Sequence, residues 1–304
     1  MLIFVENVND RLSYTFDFIF KERDLNYTFT TSESEFEKSL EIKLNYSKKN
    51  IANTPSIIPS TMLFNNRIEN YTLNRSLFNK EDCLSINGIC DPVASIFYIL
   101  TRYEEYDSSF KDKHGRHIGK KSVLYRFGWQ EKAMCDRWSE DVLSFLSAHT
   151  SFRFEKKKYR PQIIPTFDID KAYAYKHKGI FRNVLGYFKD FYTQDKALVK
   201  ERRMVLTGSK KDPFDNYDKI FDIQSRGFDV KLFWMLGNYG KYDKNISHKN
   251  RRHRRLIRKM DTIATIGIHP SYRSNSNEFN IHNEIERLQN IIKKHVRSSR
   301  QHYL

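Results

Sequence analysis

The chain has 304 residues, 39% of them hydrophobic and 14% aromatic, and a net charge of +16. That composition supports sizeable cores and excludes wholesale disorder. No apolar run approaches the ~20 residues of a membrane helix, and residues 1–5 meet Glu6 too soon for a signal-peptide core, so a cytoplasmic protein is expected.

Three cysteines (Cys83, Cys90 and Cys135) without a C-x-x-C pair exclude a zinc ribbon or a disulfide scaffold and predict free thiols. The charge is divided unevenly. Residues 1–155 sum to −2 and residues 156–304 to +18. With Pro161 and Pro165 just beyond this change, two domains are predicted, 1–157 and 158–304.

The first domain reads as mixed α/β. Residues 2–5 form a short apolar strand, and apolar spacing over 9–20 predicts a helix. Residues 25–31 and 40–44 alternate like half-buried strands. Asp91-Pro92, followed by an apolar stripe to Tyr103, reads as an N-cap, a proline at the first helical position and a helix. A second amphipathic helix is predicted over 134–146. The polar segment 111–117 between them, with His114 and His117, reads as an exposed loop, and Arg102, Glu104 and Glu105 as a solvated face.

From residue 160 strands and helices alternate. Strands are predicted over 163–167, 230–236 and 262–268, and helices from Ile180, from 252 to 260 and from Ile281. Asp212-Pro213 is read as the cap of a helix running to about Gln224. This alternation implies a parallel sheet or a (β/α) barrel, in which chemistry gathers at the C-terminal strand ends. Asp168 and Asp170 stand at the first such end and point to one face; His269 stands at the third. Hard oxygen ligands with an imidazole suit a divalent metal that activates water for hydrolysis.

At these positions the chain resembles a known family. Thr166-Phe167-Asp168-Ile169-Asp170 resembles the T-F-D-D-G motif of the polysaccharide (NodB-like) deacetylases, and His269-Pro270-Ser271-Tyr272-Arg273 resembles their H-S-x-x-H motif. Ser299-Arg300-Gln301-His302-Tyr303 falls where that family carries an Arg-x-Pro motif. Residues 95–106 look like the end of the uncharacterised N-terminal domain that precedes the barrel in one bacterial branch.

The resemblance implies an N-terminal α/β domain followed by a partial (β/α) barrel of the glycoside hydrolase/deacetylase type. It implies a hydrolase that removes acetyl groups from a bacterial polysaccharide or glycan precursor through a metal-activated water, the metal expected being zinc. Asp168 would be the general base and Arg300 would orient it; Asp170 and His269 would hold the metal. Arg273 stands where the family has its second histidine, so His302 on the next strand is read as the third ligand. The family barrel has more strands than the four countable here, so the chain reads as truncated at its C-terminus.

The cluster Lys249-Asn250-Arg251-Arg252-His253-Arg254-Arg255 carries no nucleic-acid-binding signature and reads as a solvated helix face, with binding of an anionic glycan or lipid-linked substrate as the alternative. Two function classes stay open. One is a metal-dependent deacetylase; the other is a silent carbohydrate-binding or scaffold protein with a degenerate barrel.

Overall fold

The computed structural model describes residues 1–106, 109–154 and 161–301. The chain is mixed α/β and divides into two compact units, Met1–Tyr159 and Arg160–Leu304. The boundary expected at 157/158 lies outside the described residues. Among the described residues no helix is long and apolar enough to cross a membrane.

In the first unit, β1 (Leu2–Phe4), α1 (Asp10–Phe20), β2 (Thr28–Thr30), α2 (Glu33–Lys38) and β3 (Lys43–Asn45) form a parallel sheet in the order β2-β1-β3 with its helices. The antiparallel strands β4 (Leu73–Phe78), β5 (Glu81–Ile86) and β6 (Ile89–Cys90) follow, then α3 (Pro92–Leu100), α4 (Val123–Arg126) and α5 (Met134–His149). Asn9 caps α1 by accepting from the Leu12 amide, and the apolar face Leu12, Phe16, Ile19 and Phe20 is fully buried. That core continues through Trp129, Trp138, Val142 and Leu146.

Asp91 does more than cap α3. Its carboxylate accepts the amides of Val93 (3.1 Å), Ala94 (3.0 Å) and Ser60 (2.7 Å) and the Tyr46 hydroxyl (2.8 Å). Asp141 on α5 likewise accepts from the Asn79 side chain and the Lys80 and Glu81 amides, fixing the β4–β5 turn.

The second unit contains β7 (Thr166–Ile169), α6 (Ile180–Tyr192), α7 (Lys196–Leu206), α8 (Tyr217–Ser225), β8 (Lys231–Trp234), α9 (Arg251–Met260), β9 (Thr265–Ile268) and α10 (Glu278–Ile292). The three strands are parallel and lie in chain order, β7-β8-β9. A fourth segment joins at Ser299, bridged in parallel to Ile268. On one sheet face Leu232, Trp234, Ile266 and Ile268 are buried with Ile257 and Met260 of α9 and Leu288 and Ile291 of α10.

Several elements differ from expectation, and β9 starts at Thr265 instead of 262. The first strand starts at Thr166 instead of 163, because proline has no N–H for a ladder; Pro165 contributes only its carbonyl, to the Lys231 amide at 3.0 Å. Asp212 does not cap α8, which begins at Tyr217. It accepts instead from the amides of Ala174 (2.7 Å), Tyr175 (2.9 Å) and Lys176 (2.9 Å), holding the loop after β7.

Of the basic cluster, Arg251, Arg252 and Arg255 lie exposed on α9 while His253 is buried, its Nε2 accepting the Trp234 indole N–H at 2.8 Å. Burial pushes this imidazole down to about 4, helped by nearby His248 and opposed by the Ser247 carbonyl. Between an unfolded value of about 6.5 and a folded one of about 4, the unfolded chain takes up a proton that the folded chain refuses. Stability from this site is therefore complete above about pH 6.5 and falls by on the order of 3 kcal/mol as the pH drops through that window. His253→Gln, which keeps an acceptor for the indole, should lose less stability than the parent between neutral pH and pH ~4.5 in urea titrations. Parallel losses in the two proteins would contradict this assignment.

Candidate functional site

Register places the site. Ile169, Trp234 and Ile268 are cross-strand partners, so the residues that follow them (Asp170, Met235 and His269) reach the same C-terminal rim. The amides of Met235 and His269 continue the ladder, donating to the carbonyls of Ile169 (3.2 Å) and Trp234 (3.0 Å). With a side-chain period of two, Thr166, Asp168 and Asp170 share a face. Across that face Asp168 lies level with Phe233 and Gly267.

On this rim His269 Nε2 stands 3.0 Å from Asp170 Oδ1. The imidazole is almost fully enclosed, whereas the Asp170 side chain is half exposed. The Nδ1 side faces the Arg300 carbonyl in a short hydrogen bond, so Nδ1–H donates there and Nε2 is the nitrogen presented to Asp170. Burial lowers the proton affinity of His269, but the Asp170 hydrogen bond, the Arg300 carbonyl and the charges of Asp170 and Asp168 outweigh it and raise it above the ordinary value.

Asp168 Oδ1 accepts from Arg300 Nη1 at 3.2 Å, and Arg300 Nη2 donates to the Thr166 hydroxyl at 2.6 Å. The guanidinium lies 4.7 Å from the Phe233 ring centroid. Gly267 makes room for this layer: a Cβ there would come within 2.8 Å of the Phe233 ring and 2.6 Å of Ser298 Oγ.

The loop after His269 is held from below. Glu284 on α10 accepts the Ser271 amide at 2.9 Å and its hydroxyl in a short bond, and Asp243 accepts the Tyr272 amide at 2.8 Å. Gly237 admits Ser271, whose Cβ would lie 2.4 Å from any Cβ at position 237. Beside the rim a cleft of about 620 Å³ is lined by Asp168, Asp170, Lys171, Phe214, Tyr217 and Arg300.

The structure thus joins Asp170 to His269 and Asp168 to Arg300. His302 lies outside the described residues. Sequence reasoning missed Glu284, Asp243 and Thr166; only Thr166, inside the first motif, had a local signal. In type, the donor set fits a divalent cation: a carboxylate oxygen meets an imidazole nitrogen whose other nitrogen is fixed by a carbonyl, the usual outer support of a metal-binding histidine. Among the described residues no group of three or more His, Cys, Asp and Glu side chains is arranged to hold a metal.

In the first unit a cleft of about 340 Å³ is bordered by Tyr71, Tyr98, Tyr103, Glu104, His117 and Lys121. Glu104, expected on a solvated face, is half-buried and accepts the Val123 amide at 2.8 Å. Burial raises its carboxyl above the ordinary value, against the pull of that hydrogen bond.

Residues 1–151 match the model of a family of unknown function (DUF7033). No curated protein matches the chain, and no solved structure does. The family match ends before β7, so it does not extend to Asp168, Asp170 or His269.

Proposed function

We propose that the second unit is part of a (β/α) barrel of the deacetylase type and that its rim removes acetyl groups from a glycan with the help of a divalent metal. The observation that carries this reading is the 3.0 Å contact of Asp170 with His269 at the C-terminal strand ends, beside an Asp168 held by Arg300. Strand order supports the barrel. Sequential parallel strands are what a barrel requires, whereas doubly wound sheets reverse order. Curvature supports it too: on a flat sheet the fourth strand would lie about 14 Å from the first, beyond the reach of an arginine side chain. Yet Arg300, whose amide bonds the Ile268 carbonyl, touches Asp168 and Thr166 on β7.

Asp170 and His269 are the residues that would hold the metal, with His302 proposed as a third ligand. A bound divalent cation supplies Lewis acidity, lowering the pKa of water toward ~7 and polarising an acyl carbonyl. Asp168, anchored by Arg300 and exposed to the cleft, accepts the proton of the attacking water. The Arg300 carbonyl fixes the His269 tautomer, and Glu284 fixes the loop that carries it.

A second reading, a carbohydrate-binding or scaffold protein without turnover, rests on Arg273, a side chain that binds no cation and stands where the resembled motif has its second histidine. Zinc titration by calorimetry tests the metal site on which the enzyme reading depends. The enzyme reading expects one zinc per chain, with Asp170→Ala and His269→Ala each weakening binding by at least about 100-fold, more than the loss of an outer-shell partner causes. Equal affinity in the parent and both variants would sink the metal site.

A further inference from the structure

Helix α6 is built inside out. A surface helix ordinarily turns its apolar stripe toward the core. Here Arg182, Gly186 and Asp190 face the rest of the unit. Asp190 is 8% exposed and accepts Arg202 Nε at 2.9 Å and Nη2 at 2.8 Å from α7. Gly186 abuts the same guanidinium, and a Cβ there would lie 2.7 Å from Arg202 Nη1. Arg182 donates to the Asn245 carbonyl at 3.2 Å and lies 3.8 Å from the Tyr239 ring centroid.

The opposite side is apolar and open. At 100° per residue Ile180, Val184, Phe188 and Phe191 fall into one arc with Phe181, Leu185 and Tyr192, about 160° wide when Tyr187 is included. The first seven are 45–89% exposed. Monomeric proteins rarely leave such a patch to water.

Charge says what covers it. Residues 176–211 hold ten Lys and Arg against three Asp and Glu. Asp190 is engaged by Arg202 and Glu201 by Lys210. Lys189, Lys196, Lys200 and Arg203 are exposed, the last three beside Phe191 along a cleft of about 680 Å³ between α6 and α7.

We propose that the α6–α7 hairpin docks on a bilayer surface rich in anionic phospholipid, with the aromatic arc in the acyl boundary and the cations at phosphate level. An apolar arc flanked by Lys and Arg is the chemistry of a helix lying in the membrane interface. With 13 residues α6 spans about 20 Å, too short to cross the hydrocarbon core and long enough to lie along it. The docking is independent of the reaction proposed above.

Co-sedimentation of the full chain with vesicles tests it. Binding is expected to vesicles of phosphatidylcholine with phosphatidylglycerol, to be far weaker to phosphatidylcholine alone, and to fall with salt. Phe181→Ser with Phe188→Ser should weaken it by about tenfold or more. Lys196→Gln with Lys200→Gln should weaken it by about tenfold. Tyr192→Trp, at a position 89% exposed, should shift its emission to the blue on anionic vesicles.

Failure to bind either vesicle, undiminished binding by the serine variant, or no Tyr192→Trp shift would each overturn the proposal. So would a dimer in solution that the serine variant makes monomeric and that vesicles leave unchanged, since a second copy would then cover the face.

Discussion

Asp168→Asn is expected to keep its zinc and lose acetate release by about 10²–10⁴-fold, the range a general base contributes. Asparagine has the size of aspartate and still presents an oxygen to Arg300 Nη1, now at 3.2 Å from Oδ1, so the layer of Arg300, Thr166 and Phe233 stays in place. What disappears is the ability to take a proton. Zinc is retained because its proposed holders, Asp170 and His269, meet each other without Asp168. A variant that turned over at the parental rate would remove Asp168 from the base role. One that lost zinc and activity together would make Asp168 a ligand.

Asp91→Ala is expected to destabilise the first unit by about 3–5 kcal/mol. The carboxylate is fully buried and satisfies three amides and one hydroxyl. Alanine removes the α3 cap, worth about 0.5–2 kcal/mol, and strands the Ser60 amide and the Tyr46 hydroxyl, each at about 1–3 kcal/mol. Burial raises this carboxyl above its ordinary value, and the hydrogen bonds from Ala94, Ser60 and Tyr46 pull it back, so the site depends on those donors. Urea unfolding followed by tryptophan fluorescence is suited to it, because Trp129 and Trp138 both sit in this core. Loss of less than about 1 kcal/mol would show that solvent or a relaxed loop replaces the carboxylate.

How much was legible followed from where the deciding contacts lie. Helices α1, α3 and α5 carry caps or apolar spacing within their own sequence, and they form within a few residues of the expected bounds. The β4–β5 hairpin escaped: its turn residue Asn79, at φ 45°, is a local signal, but the strands Leu73–Phe78 and Glu81–Ile86 mix polar and apolar residues. At the rim, Asp168, Asp170 and His269 were readable because strand ends in a parallel sheet face one way. Glu284 and Asp243 were not, since nothing local distinguishes a carboxylate that later receives two bonds from Ser271 or the amide of Tyr272. Helix α6 was legible as a helix from its spacing, but spacing fixes only that an apolar face exists. Its orientation is set by the Asp190–Arg202 pair across α7, a contact twelve residues away.

Acetate release by the full chain, with and without added zinc, tests the proposed function most directly, using a chitin oligosaccharide and an O-acetylated glycan as substrates. Release is expected to require zinc, to stop on chelation and to resume when zinc is restored. A folded chain that binds zinc yet frees no acetate from either substrate above the protein-free control would contradict the proposed function.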